Sequence, residues 1–300
     1  RPVGEFLSVM ASPEPPPPAT PRTIASFLSS ELGRRTLSGI ALVVLALGTA
    51  WWGGLAFDLL WALAGALVCR EWVALSPARD EPALALGGAA AVAVAAIILS
   101  VSGNLPSALT ALAVGAAGLA ALGRNRTSRL WALAGLLYAA VIGLVPVAAR
   151  ALPDVGLVVI LWMFAVVWMT DIAAYFSGRT LGGPKLWPSV SPKKTWSGFF
   201  GGLAAGCLAG MTVVAVAQGY GVAQQVPLWL IGIASALASA LGQLGDLAES
   251  ALKRRAGVKD SGQIIPGHGG VMDRLDAFWA VALLVGMGLV VGAVVRASAL

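Results

Sequence analysis

Between two apolar runs, 226–250 and 277–296, the chain reads S-A-L-K-R-R-A-G-V-K-D-S-G-Q-I-I-P-G-H-G-G-V-M-D-R-L-D, Ser250 to Asp276. Only 11% of all residues are charged, yet this stretch holds Lys253, Arg254, Arg255, Lys259, Asp260, Asp273, Arg274 and Asp276. It also holds the single histidine, His268. Charge beside a membrane span is expensive unless it has a task. Cations, carboxylates and a Pro-Gly-His-Gly-Gly turn in one place are what a metal-bridged polyphosphate site requires.

Working outward, 58% of the 300 residues are hydrophobic and the mean hydropathy is +0.84, above the usual share of a soluble domain. A helix crosses the bilayer in about 20 residues. Nine such runs are predicted, at 37–53, 55–75, 83–102, 106–122, 130–149, 155–176, 198–218, 226–250 and 277–296. The expected fold is therefore an all-α polytopic membrane protein of about nine transmembrane helices with a cytosol-facing site. Residues 1–35, with P-E-P-P-P-P-A-T-P from Pro13 to Pro21, read as a disordered cytosolic tail and not as a secretory signal. A transmembrane scaffold of about five helices is expected over 36–150, and a catalytic region of about four over 151–300.

The net charge of +6 and pI near 9.8 do not point to nucleic acid. With the N-terminus inside, 18 of the 20 Lys and Arg fall in alternate, cytosolic segments, leaving only Arg150 and Arg296 outside. A basic face interleaved with aromatics is absent. Cys69 and Cys207 sit in apolar runs and read as small buried hydrophobes. Asp58, Arg70, Glu71 and Trp72 lie at span ends and read as interfacial anchors.

At about 100° per residue, Gln243, Asp246, Glu249, Ser250 and Lys253 share one face of the helix that ends the 226–250 run. Asp273 and Asp276 recur at helical spacing where the last run begins. Carboxylates suit Mg²⁺, which takes one or two from protein and fills its sphere with water and phosphate. Asp246 and Asp273 are the expected metal ligands. Gly269 and Gly270 let backbone amides approach phosphate oxygens. His268 is expected to position phosphate or the metal shell, or to be a structural turn residue. A third polar element follows the 155–176 run: Asp171 and Tyr175 share a face, and Arg179, Lys185, Lys193 and Lys194 lie in a structured loop rich in Gly and Pro.

These residues resemble the phosphatidate cytidylyltransferase family, the CDP-diacylglycerol synthases. The pattern S-x-L-K-R, then K-D, then P-x-H-G-G-x-x-D-R-x-D is matched at every fixed position from Ser250 to Asp276. Asp171 to Arg179 and Ser191-Pro192-Lys193-Lys194-Thr195-Trp196 are also similar to that family, while Ile172 and Ser197 depart from it. The resemblance covers the last four spans. It implies a Mg²⁺-dependent enzyme of a bacterial plasma membrane that joins CTP to phosphatidate, releases pyrophosphate and works as a homodimer. By this resemblance Asp246, Asp273, Lys253, His268 and Asp276 are catalytic. Asp171, Tyr175, Arg179, Lys193, Lys194, Ser250, Arg254, Lys259, Asp260, Gly269, Gly270 and Arg274 bind substrate. A cation-coupled transporter is the main alternative. Against it, the first five spans carry almost no mid-membrane polar residues and no paired broken helices. A membrane phosphotransferase acting on CDP-alcohols would carry D-G-x-x-A-R, which is missing.

Overall fold

Helices α1 (Glu31–Trp52), α2 (Gly54–Ala74), α3 (Pro82–Ser102), α4 (Leu105–Leu122) and α5 (Arg126–Arg150) open the fold. After α6 (Gly156–Leu181) comes a hairpin, β1 (Lys185–Trp187) paired antiparallel with β2 (Ser191–Thr195). Helices α7 (Trp196–Gly219), α8 (Leu228–Arg255) and α9 (Met272–Ser298) complete it. This computed structural model describes residues 31–298, so most of the expected tail lies outside the described residues. Its last five positions, 31–35, belong to α1.

Among the described residues, eight of the nine helices are long and apolar enough to cross a bilayer. The exception, α2, carries Asp58, Arg70 and Glu71 within its 21 residues. The chain is an all-α polytopic membrane protein, with the hairpin its only paired strands among the described residues.

Several helices continue past their apolar runs, and they do so at one end of the bundle. The α8 helix, 28 residues long, extends about 42 Å against a hydrocarbon core of about 30 Å, so it is longer than one crossing needs. Capping makes such extensions stable. The Asn125 side chain accepts from Ser128 N at the start of α5, and Thr195 Oγ1 accepts from Gly198 N at the start of α7. Helix α6 likewise runs to Leu181, which puts Arg179 on a helix and not in a loop.

One aromatic seam joins the expected scaffold to the expected catalytic region. Trp61 of α2 stacks on Phe278 of α9 at 4.7 Å, and Phe164 of α6 lies 5.7 Å from the same ring. Nearby, Tyr138 of α5 stacks on Trp279 at 4.5 Å. Trp72 donates its indole N–H to Trp131 O and packs on Tyr138, so it is a packing residue and not an interfacial anchor. Each such ring pair contributes about 0.5–1.5 kcal/mol beyond its area.

Helices α6 and α7 approach almost backbone to backbone. A Cβ on Gly202 would lie 2.9 Å from Thr170 O, and one on Gly206 only 2.4 Å from Thr170 Oγ1. Small residues at four-residue spacing permit this contact, which membrane helices need because lipid supplies no hydrophobic drive between them.

Candidate active site

The projecting ends of α6, α8 and α9, the hairpin and the starts of α1 and α7 meet at the same face of the bundle. Lys253 is the centre of one group. Its ammonium lies 2.6 Å from Asp273 Oδ1 and 2.9 Å from Glu249 Oε2, with both carboxylates almost fully buried. Asp273 Oδ2 accepts from Ser261 N and Gly270 N, each at 2.8 Å. Removing one member of a buried ionic group leaves an uncompensated charge and costs about 3–5 kcal/mol. Asp273, expected beside Asp246 at a metal, is here the partner of Lys253. Both oxygens of Asp273 are engaged, and they fasten the polar loop to the helix ends.

The second group forms around Asp246. Its Oδ2 lies 2.5 Å from Lys194 Nζ, and its Oδ1 accepts from Ser250 Oγ at 3.3 Å. Asp276 is within electrostatic reach of Asp246 and Glu249, and Asp171 within reach of Asp246, Lys194 and Arg274. Ala277 N donates to Asp276 Oδ1 at 2.7 Å. Sequence separations from four to more than a hundred residues converge here, because α6, α8 and α9 pack side by side. In β2 successive side chains face opposite ways. Lys194 turns in toward Asp246, while Lys193 is exposed.

Beside these groups lies an open cavity of about 700 Å³ lined by Arg35, Lys259, Asp260, Gln263, His268 and Arg274, with the loop backbone from Gly262 to Gly269. Arg274 lines this cavity and also faces Asp171, so it connects the cavity to the acidic group. Gly267 and Gly269 have φ of 76° and 86°, which a side chain rarely adopts, so glycine is needed for the turn. Ser38 Oγ of α1 sits 2.7 Å from His268 Nδ1 and 3.0 Å from Pro266 O. Burial, reinforced by the charge of Arg274, holds the imidazole below its ordinary range, so it is neutral near pH 7.

Other expected site residues stand apart. Arg179 donates to Tyr175 Oη at 2.9 Å on the exposed end of α6. Arg254 donates to Val258 O at 3.1 Å, which holds the chain just past the end of α8. Gly270 gives its N–H to Asp273, so that amide is not offered to a phosphate.

Three contributors were not expected. Arg35 and Ser38 come from α1, and Glu71 comes from α2. Glu71 is 4% exposed and accepts from Val271 N, Met272 N and Ser261 Oγ, so it is no interfacial anchor. Its only sequence signal was a carboxylate at the inner end of a span, which anchoring explains equally well.

The sequence pattern of the cytidylyltransferase family matches residues 33–291. A Brucella suis protein named phosphatidate cytidylyltransferase is 40% identical over 255 residues, covering 85% of this chain and 92% of its own. A Brucella melitensis protein of the same name matches to the same extent. One from Staphylococcus haemolyticus, also of that name, is 42% identical over 169 residues, 56% of this chain and 63% of its own. With 259 consecutive positions inside the family pattern and the charged helix ends among them, the chain belongs to the cytidylyltransferase family.

Proposed function

We propose that this chain is a Mg²⁺-dependent phosphatidate cytidylyltransferase of a bacterial plasma membrane, a homodimer with its site on the cytoplasmic side. The observation that carries the reading is the pair of charged groups around Lys253 and Lys194–Asp246, set at the bundle face beside an open polar cavity. Family membership and the names of the relatives support the reaction. The excess of Lys and Arg in alternate segments supports the orientation.

In this reading the cavity takes CTP, with Lys259 and Arg274 toward its phosphates. Lys194 holds the lipid phosphate, and Lys193, exposed on the other side of β2, strengthens attraction to the anionic membrane surface. A phosphate oxygen of the lipid attacks the α-phosphorus of CTP, and the bond to the bridging oxygen breaks. Pyrophosphate leaves with that electron pair, and no proton need move. The chain's task is to bring two anions together in line, and its cations offset their repulsion.

The residues suit a hard divalent ion. Among the described residues Asp171, Asp246, Glu249, Asp273 and Asp276 gather beside Lys194, Lys253 and Arg274, so carboxyl groups outnumber cations there. Glu249 Oε1 is buried without a hydrogen-bond partner. Among the described residues no three ligating side chains converge on one point. Mg²⁺ takes one or two carboxylates from protein and completes its shell from substrate and water. Asp246 and Asp276 are the residues that would hold it. When bound, Mg²⁺ would neutralise the triphosphate and stabilise the departing charge.

Purified protein given labelled CTP, phosphatidate and Mg²⁺ should form a CDP-lipid and release pyrophosphate, and a chelator should stop both. Ion or solute movement in liposomes with no CTP turnover would replace this reading with a transporter.

A further inference from the structure

We propose that Glu71 is a positioning residue of the site, holding the neck of the loop that shapes the nucleotide cavity. The proposal rests on the cytidylyltransferase reading and adds a residue from the part of the chain expected to be scaffold.

The neck is gripped by two carboxylates that divide its donors between them. Ser261 gives its backbone N–H to Asp273 and its hydroxyl to Glu71, at 2.8 and 3.0 Å. On the opposite strand of the neck, Gly270 N donates to Asp273, while Val271 N and Met272 N donate to Glu71 at 2.9 and 2.8 Å. Three consecutive amides at the start of α9 are thereby satisfied, and a negative charge sits at the positive end of that helix. The packing is close. A Cβ on Gly262 would lie 2.7 Å from Glu71 Oε1, and one on Gly270 would lie 2.6 Å from Oε2. Between the two grips the chain forms the cavity wall, including Gln263 and His268.

Charge and reach are both needed. A glutamine has the same size, but its amide nitrogen is a donor and would face a donor of the neck. One buried N–H then loses its acceptor, and the neck opens. Because Glu71 lines no part of the cavity, it acts on substrate only through the loop.

Two measurements on full-length protein in detergent test this. In Glu71→Gln, amide hydrogen exchange at 270–272 should quicken by about tenfold or more, with the transmembrane helices unchanged. The KM for CTP should rise by about tenfold while the KM for phosphatidate moves less than about twofold. Ser261→Ala, which removes one of the three bonds and keeps the charge, should move both readouts the same way by less. It decides the matter if Glu71→Gln fails to fold. Unchanged exchange at 270–272, or equal loss toward both substrates, overturns the proposal. If the wild type turns over no CTP, the functional reading fails while the exchange result still decides whether Glu71 holds the neck.

Discussion

The ammonium of Lys194 reaches from the hairpin to within 2.5 Å of Asp246 Oδ2, joining the loop after α6 to the end of α8. Its neighbour Lys193 faces away. Two adjacent lysines thus have different surroundings, and their replacement should separate them. Lys194→Gln should lower kcat/KM by about tenfold, a loss of ~1.4 kcal/mol. Lys193→Gln should cost about 1 kcal/mol or less and should fade as salt is raised. Steady-state kinetics at two ionic strengths measures both. Equal effects would mean that the Lys194–Asp246 contact has no part in turnover.

Asp246 and Asp273 should also part company. Asp246→Asn removes charge from the acidic group, so activity should fall by a factor of ~100 or more and partly return at high Mg²⁺. Asp273→Asn sets an amide against Lys253 and two backbone donors. It should lose activity together with thermal stability, and added Mg²⁺ should not restore it. A Mg²⁺ titration of both variants, with melting temperatures, distinguishes a ligand from a loop anchor.

His268 supplies a pH dependence. Burial and Arg274 lower its pKa in the folded chain below the ordinary value of 6.5. Below that value the unfolded chain takes up the proton more readily than the folded one, so stability falls as pH drops through this window. The melting temperature of the wild type should therefore decline more between pH 7.5 and pH 5.5 than that of His268→Gln. Parallel declines would show that the imidazole is not the group responsible.

Helix packing can be tested away from the site. A Cβ on Gly210 would lie 2.1 Å from Ser235 Oγ and 2.7 Å from Trp162 Nε1, atoms that hydrogen-bond to each other at 2.8 Å. Gly210→Ala should destabilise by about 1–3 kcal/mol. Gly219→Ala, where the added carbon meets nothing within 4 Å, should be near neutral. Thermal unfolding in detergent compares the two.

The segments 123–129, 179–197 and 251–275 should be cytosolic. A cysteine at Arg126 or Gln263 should resist impermeant reagents in intact cells and react once the membrane is opened. Labelling from outside would invert the orientation.

Much of this was readable because membrane spans announce themselves by length and hydropathy, and because Asp246, Glu249 and Lys253 lie at helical spacing. Helix ends were less legible. Hydropathy marks where lipid stops, and α6 and α8 continue beyond that point in polar turns. The difference between Lys193 and Lys194 depends on a strand of five residues whose Gly- and Pro-rich surroundings read as loop. That Asp273 also holds Ser261 N and Gly270 N was not legible, because residue type and spacing do not show which backbone donors face a carboxylate. Glu71 gave only a sign that anchoring explains equally well, since its partners stand 190 to 201 positions away.

That separation has a consequence for biosynthesis. At roughly 5–20 residues per second, the 200 residues between Glu71 and Val271 take about 10–40 s to translate. Throughout that interval the carboxylate waits at the end of an inserted helix without the amides that will receive it. Chains that stop before α9 therefore lack the amides that close this joint in the finished chain.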